Sequence, residues 1–196
     1  MRVLGVVVAG GQSRRMGGQE KAFLILDGVA LIERVVSRIA FQVEAVAINA
    51  NGDPLRFSNL SHDVIADEIE IGTPLAGLHA AVAQGAAQGF DAVLTVPSDT
   101  PFLPLDLVAR LAEAGQSTGA AVACSGGQSH HLTGLWSAAM ADKLTEVILN
   151  RKLRRVMDVG SIFDVAQAEW LIEQFDPFVN INTPEDLAAA EAVLHG

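Results

Sequence analysis

The chain has 196 residues, half of them hydrophobic, with 13 Lys and Arg against 23 Asp and Glu and a net charge of −10 at pH 7. That length suits a single domain over residues 1–196 with a substantial core, and the acidic balance excludes a general nucleic-acid binder, which needs a basic stripe to follow a phosphate backbone. The lone cysteine, Cys124, gives no internal disulfide and no metal cluster, which fits a reducing cytoplasm; no apolar run is long enough to span a membrane, and the apolar start reads as a strand and not as a signal peptide.

The first predicted element is a strand over 3–9 that runs into Gly10-Gly11-Gln12-Ser13-Arg14-Arg15-Met16-Gly17-Gly18-Gln19-Glu20-Lys21. Residues 31–39 predict a helix, with Leu31, Val35 and Ile39 at fourfold spacing and Glu33, Arg34 and Arg38 largely on the other side. A second strand is predicted over 43–50, followed by the turn formers Asn51-Gly52-Asp53-Pro54. A short strand over 64–66 ends at Asp67. Residues 74–87 predict a helix whose Ala and Gly content suits close packing on a sheet. Residues 92–97 predict a buried strand followed by Ser98-Asp99-Thr100-Pro101. A helix over 105–115, a strand over 120–124, a possible strand over 131–136 and a helix over 138–151 come next. The stretch 152–178 is ambiguous, a short helix with one or two short strands. Thr183-Pro184-Glu185-Asp186 is a helix start, with Thr183 as N-cap, Pro184 in the first turn and acids facing the positive end.

Strands alternating with helices imply an α/β fold, a single Rossmann-like, doubly wound, mainly parallel sheet with helices on both faces. In such sheets ligands bind beyond the carboxyl ends of the strands. The glycine loop, Asn49, Asp67 and Asp99 all follow strand ends, so the sequence places four polar elements on one rim.

The loop after the first strand combines free backbone N–H groups with Arg14, Arg15 and Lys21, which points to a polyphosphate. It is not a Walker A loop, because Lys21 precedes Ala22 and not Ser or Thr, and its glycines never give the dinucleotide fingerprint. Asp99, set directly after a buried strand, suits Mg²⁺, which binds through one or two carboxylates plus substrate phosphates. A second reading makes Ser98-Asp99-Thr100 the start of a helix, and the two are compatible, with Ser98 or Thr100 shaping the turn.

With these residues in place, the chain resembles the molybdenum cofactor guanylyltransferase (MobA) family of nucleotidyltransferases over nearly its whole length. The resemblance is carried by Val8-Ala9-Gly10-Gly11 with Arg14-Arg15-Met16-Gly17-Gly18 and Lys21, by Asn49-Ala50-Asn51, by Asp67 with Pro74-Leu75-Ala76-Gly77, by Ser98-Asp99-Thr100-Pro101, and by Asn180-Ile181-Asn182-Thr183-Pro184-Glu185-Asp186-Leu187. It implies transfer of GMP from GTP to the terminal phosphate of molybdopterin, with pyrophosphate leaving and Mg²⁺ as cofactor. It also implies roles. Val8, Ala9 and Gly10 would meet the nucleotide, with Gly11 near the phosphates. Lys21 and Arg15 would bind phosphate oxygens, Asn49 and Asp67 would contact the nucleoside end, and Asp99 would hold the metal. Asn180 and Asn182 would border the metal or the pterin. Partners implied are GTP, molybdopterin and a cofactor-insertion chaperone or apo-molybdoenzyme, with no nucleic acid and no membrane.

The chain departs from the family pattern at Glu20, where Asp is usual, at Ser98, where Cys is usual, at Thr73 before Pro74, where Gly is usual, and at His130-His131, where His-Pro is usual. Ala9-Gly10-Gly11 and Asp99-Thr100-Pro101 lean to guanine over the Ala-Ala-Gly and Asp-Gln-Pro of related cytidylyltransferases. A cytidylyltransferase, another small-molecule nucleotidyltransferase and a non-catalytic nucleotide-binding adaptor for cofactor delivery are the alternatives. His130 and His131, as strand neighbours facing opposite ways, do not suit zinc. Cys124 reads as a buried apolar residue, His79 as a half-exposed structural one, and Trp136 and Trp170 as packing. The basic group Arg151, Lys152, Arg154 and Arg155 has two readings, a solvated helix end or a grip on the acceptor phosphate.

Overall fold

The strand Val3–Val8 (β1) sends alternate side chains into two apolar layers. Val3 and Val7 enter the layer that holds Ile32, Val35 and Ile39, while Leu4 and Val6 enter the opposite one with Ala47, Ala81 and Val93. A strand apolar on both faces must be covered on both, and it lies in the middle of a seven-stranded sheet. This computed structural model describes residues 1–10, 20–160 and 162–195. Gly11, Arg14 and Arg15 therefore lie outside the described residues.

The other sheet strands are Ala45–Asn49 (β4), Asp63–Ile65 (β5), Ala92–Pro97 (β6), Ala120–Ser125 (β7), Gln128–Ser137 (β8) and Ala166–Trp170 (β9), and they stand in the order β5-β4-β1-β6-β8-β7-β9. Two short strands, Ile25–Leu26 (β2) and Val29–Ala30 (β3), form a separate hairpin. Its turn residues Asp27 and Gly28 have φ of 47° and 78°, the left-handed values that a two-residue hairpin turn requires. The helices are Leu31–Ile39 (α1), Pro74–Ala87 (α2), Leu107–Ala114 (α3), Ala141–Arg151 (α4), Val156–Gly160 (α5) and Pro184–His195 (α6). Side chains of α1 and α3 fill one face of the sheet; those of α2, α4 and α5 fill the other. Among the described residues, no helix is long and apolar enough to cross a membrane.

The sheet is mainly parallel with helices on both faces, as the alternation of elements implies. β8 is the exception, antiparallel to both β6 and β7. It follows β7 through Gly126 and Gly127, whose φ of 54° and 77° make the tight turn that joins antiparallel neighbours. The possible strand over 131–136 is thus longer at both ends. The ambiguous stretch after α4 resolves into α5 and β9, with β9 parallel to β7. His79 is not half-exposed but buried: α2 runs between the sheet and α4, and His79 Nε2 bonds Thr145 Oγ1 on α4 at 2.8 Å.

β4 and β5 lie on one side of β1, and β6 lies on the other. The strand order reverses its direction of travel there, and a crevice opens at the carboxyl ends of β1 and β6. That crevice is where the polar rim residues gather.

Candidate active site

Val8, Ala9 and Gly10 leave the end of β1, and Pro97, Ser98 and Asp99 leave the end of β6 beside them. Ser98 N donates to Val8 O at 3.2 Å and Ala9 N to Asn49 O at 2.8 Å, so the strand ends stay paired up to the crevice. Between them is a cavity of about 250 Å³ lined by these residues with Glu20, Lys21, Ala22, Pro74, Leu132 and Asn180.

Asp99 does not start a helix, since α3 begins only at Leu107. Thr100 Oγ1 donates to Pro97 O at 3.0 Å and closes a turn, which leaves the Asp99 carboxylate turned to the cavity. Its Oδ2 is 3.7 Å from Lys21 Nζ, and its Oδ1 accepts from Asn180 Nδ2 at 2.7 Å. Lys21 Nζ also donates to Asn182 Oδ1. The structure thus brings together four residues that lie far apart in sequence: Lys21, Asp99, Asn180 and Asn182. The side chains of Lys21 and Asp99 are only 22% and 16% exposed, so their attraction is less screened than that of a surface pair.

Asn180 and Asn182 arrive on the segment before α6. Ile181 N donates to Asp99 O at 2.9 Å. Thr183 caps α6 as its sequence suggests: Thr183 Oγ1 accepts from Asp186 N at 3.1 Å, and Asp186 Oδ2 accepts from Thr183 N at 2.9 Å and from Asn182 N at 2.8 Å. This is a capping box closed by aspartate. The bond from the Asn182 amide, more than any other contact, holds the Asp186 carboxyl below its usual range.

On the other side of β1, Asn49 and Asp67 meet. Asn49 Nδ2 donates to Asp67 Oδ1 at 2.9 Å and to Ile65 O at 3.2 Å. Asn51 holds the same carboxylate from outside, through Nδ2 to Asp67 Oδ2 at 2.7 Å, and accepts the Asp67 amide at 2.9 Å. Asn49 is 1% exposed, behind the cavity wall, so its direct contact is with Asp67. Its Oδ1 is buried without a hydrogen-bond partner and faces Gly77 in the first turns of α2. Asp67 itself is half-buried.

Several contributors are not evident from the sequence. Arg56, in the 3₁₀ turn Pro54–Leu60, pairs with Glu20 and donates to Asn51 O at 2.5 Å, so it ties the residue beside Lys21 to the Asp67 clamp. Leu132 reaches the cavity because β8 bulges. Val122 pairs with Gly134 but Ala123 pairs with His130, which leaves residues 131–133 out of the β7 ladder. Thr95 Oγ1 on β6 donates to Leu132 O at 2.8 Å and pins that bulge. A bulge of this kind re-aims side chains, here toward the site.

The remaining expectations fall out as follows. Cys124 is buried, and the hydrogen bond its thiol donates to the Glu169 carboxylate, followed by burial, pushes the thiol up, away from a reactive thiolate. Trp136 and Trp170 are buried packing residues, bonded to Thr95 Oγ1 and Asp106 Oδ1. In the basic group, Arg155 pairs with Asp158 at 2.7 Å, and Arg154 donates to Ile71 O at 3.2 Å. Among the described residues no three His, Cys, Asp or Glu gather as a metal cage.

Residues 5–168 match the family model of the MobA-like NTP transferase domain. The chain is 45% identical, over 99% of its length and 98% of the relative's, to a molybdenum cofactor guanylyltransferase of Cereibacter sphaeroides. It is 42% identical to one from Rhodopseudomonas palustris, covering 96% of this chain and 92% of that one. Among solved structures it is similar to the molybdopterin-guanine dinucleotide biosynthesis protein A of Archaeoglobus fulgidus, at 26% identity and a TM-score of 0.72 over 98% of each chain. It shares its fold, at 21% identity and a TM-score of 0.67 over 100% of each chain, with a 2-C-methyl-D-erythritol 4-phosphate cytidylyltransferase of Thermus thermophilus. The chain therefore belongs to the MobA-like NTP transferase family.

Proposed function

We propose that this protein transfers GMP from GTP to the terminal phosphate of molybdopterin and releases pyrophosphate. The observation that carries the reaction class is the Lys21–Asp99 pair lining the cavity, 3.7 Å apart, with Asp99 just past the end of β6 and Lys21 opening a 3₁₀ turn. The named guanylyltransferase relatives support the base and the acceptor. The attacking group is a phosphate oxygen already ionised at neutral pH, so the site needs no general base. Catalysis then rests on positioning and on neutralising charge.

The resemblance gives the backbone of Val8 to Gly10 the nucleotide and Gly11 its phosphates. Lys21, aided by Arg15, takes the charge of the triphosphate and the departing pyrophosphate. Asp67, held by Asn49 and Asn51, faces the nucleoside end. Asn180 and Asn182 border the acceptor. The donor set fits Mg²⁺: Asp99 offers a carboxylate, Asn180 offers an amide oxygen beside it, and the remaining positions suit phosphates and water. Held there, Mg²⁺ would supply positive charge against the phosphate oxygens. A cytoplasmic setting fits the single buried cysteine, and the dinucleotide product passes to an insertion chaperone or an apo-molybdoenzyme.

The test is calorimetric binding of GTP, CTP and ATP with and without Mg²⁺, followed by pyrophosphate release with molybdopterin. GTP is expected to bind preferentially, and turnover is expected to stop when the metal is chelated. A preference for CTP would move the protein to the cytidylyl branch. Binding without turnover would make it an adaptor.

A further inference from the structure

Three polar side chains behind the rim have no part in the steps above. Ser125 is the last residue of β7 and is 1% exposed. His130 lies across the two-glycine turn, paired with Ala123, so it and Ser125 are diagonal neighbours on one face of the hairpin. Asp176 comes from the segment between β9 and α6. Ser125 Oγ donates to Asp176 Oδ1 at 2.9 Å and meets His130 Nε2 at 2.7 Å. A hydroxyl has one proton, and Asp176 receives it, so His130 Nε2 carries the proton of the second bond. A nucleophilic triad would set the carboxylate on the histidine; here it sits on the serine, whose oxygen is buried. The arrangement holds a segment in place.

That segment leads to the site. Asp176 Oδ1 also accepts from Phe178 N at 2.9 Å, and the Phe178 ring stacks on His130 with centroids 4.7 Å apart. Trp170, at the end of β9, packs on the edge of the same ring at 5.2 Å. Two residues further, Asn180 reaches Asp99, Ile181 N reaches Asp99 O, and Asn182 reaches Lys21. Residues 171–183 have no strand or helix of their own, so their path depends on such side-chain contacts.

We propose that Ser125, His130 and Asp176 form a positioning tether that fixes the segment carrying Asn180 and Asn182 against Asp99 and Lys21. The effect of the tether on turnover rests on the nucleotidyl-transfer reading; its effect on the backbone does not.

The experiment compares wild type, Asp176→Ala, Asp176→Asn and Ser125→Ala as full-length proteins. It reads hydrogen exchange of the segment 176–183, GTP-dependent pyrophosphate release and the melting temperature. Asp176→Ala and Ser125→Ala are expected to speed exchange there by about tenfold. Both are expected to lower kcat by up to about a hundredfold, the scale of a misplaced site group, while KM for GTP changes little. Asp176→Asn keeps the accepting oxygen and is expected to restore slow exchange and turnover. The tether is overturned if exchange is unchanged in the folded variants, or if it rises while kcat stays at the wild-type value. If Asp176→Ala does not fold, Ser125→Ala, which removes one hydroxyl, decides. If wild type itself fails to transfer nucleotide, that reading falls alone and the exchange rates still judge the tether.

Discussion

Asp99 carries two interactions of opposite kind on one carboxylate, an ionic one with Lys21 and a hydrogen bond from Asn180. The substitution Asp99→Asn keeps the size and removes the charge. Turnover is expected to fall by about a thousandfold or more, with GTP binding weakened far less, because the lost charge matters most where phosphate oxygens gain charge. Lys21→Met is expected to lose both, since the ammonium meets the triphosphate in ground and transition states alike. Steady-state kinetics with calorimetric GTP affinity separates the two, and an Asp99→Asn variant with near-normal kcat would remove Asp99 from the reaction. Asp99 and Lys21 were legible because each follows a strand end next to glycines or a turn. Asn49 was legible as a rim residue, but not as the buried support of Asp67. That role depends on how Gly77 closes over it, a relation between two elements. Ser125, His130 and Asp176 carry no spacing signal, because 45 residues separate His130 from Asp176 and only folding joins them.

At the scale of elements, α2 is the helix that crosses β1 and β6 most closely, and its glycines make that possible. A Cβ at Gly77 would stand 2.8 Å from Val8 Cγ1 and closer still to Asn49 Oδ1; one at Gly85 would strike Val93 Cγ2. Alanine gains about 1 kcal/mol of helix propensity over glycine, but overpacking a tight contact costs about 1–3 kcal/mol. Both Gly77→Ala and Gly85→Ala are therefore expected to lower stability in urea unfolding. Only Gly77→Ala is expected also to weaken GTP binding, because it presses on the Asn49–Asp67 clamp, whereas Gly85 lies about two turns nearer the far end of the sheet. Equal GTP affinity in the two variants would disconnect the clamp from the nucleotide. The bounds of α2 and β6 were legible to the residue, since Pro74 opens one and apolar runs define both. The direction of β8 was less so. A strand's side-chain pattern is the same in either direction, and only Gly126-Gly127 marks the reversal. The hairpin of β2 and β3 is too short for any alternation to show.

For the molecule as a whole, acidification pulls in two directions. A chain with a net charge of −10 sheds self-repulsion as carboxylates protonate, which favours the compact state. Against this stand two histidines in different parts of the fold, the buried His79 and the half-buried His130. Burial holds His79 below its ordinary value of 6.5, although Glu68 and Asp67 pull it up, and burial acts on His130 in the same direction. His79 shows why geometrically. Thr145 Oγ1 donates to Ala141 O, so His79 Nε2 gives the proton of their shared bond, and Nδ1 is left buried without a partner. Protonation would put a cation's N–H at that dry nitrogen. The unfolded chain takes up this proton near pH 6.5 and the folded one does not until lower pH, so the stabilisation is complete above 6.5 and is lost as pH falls below it. Urea midpoints measured at pH 7.5, 6.5 and 5.5 are expected to show the wild type losing more stability on acidification than His79→Leu. In that variant the Thr145 hydroxyl keeps its bond to Ala141 O, and the bond from His79 Nε2 is lost at every pH, so the difference in slope reads the proton alone. Parallel pH slopes in the two proteins would show that the α2–α4 interface accepts the proton in the folded state and that another group sets the acid limit of the fold.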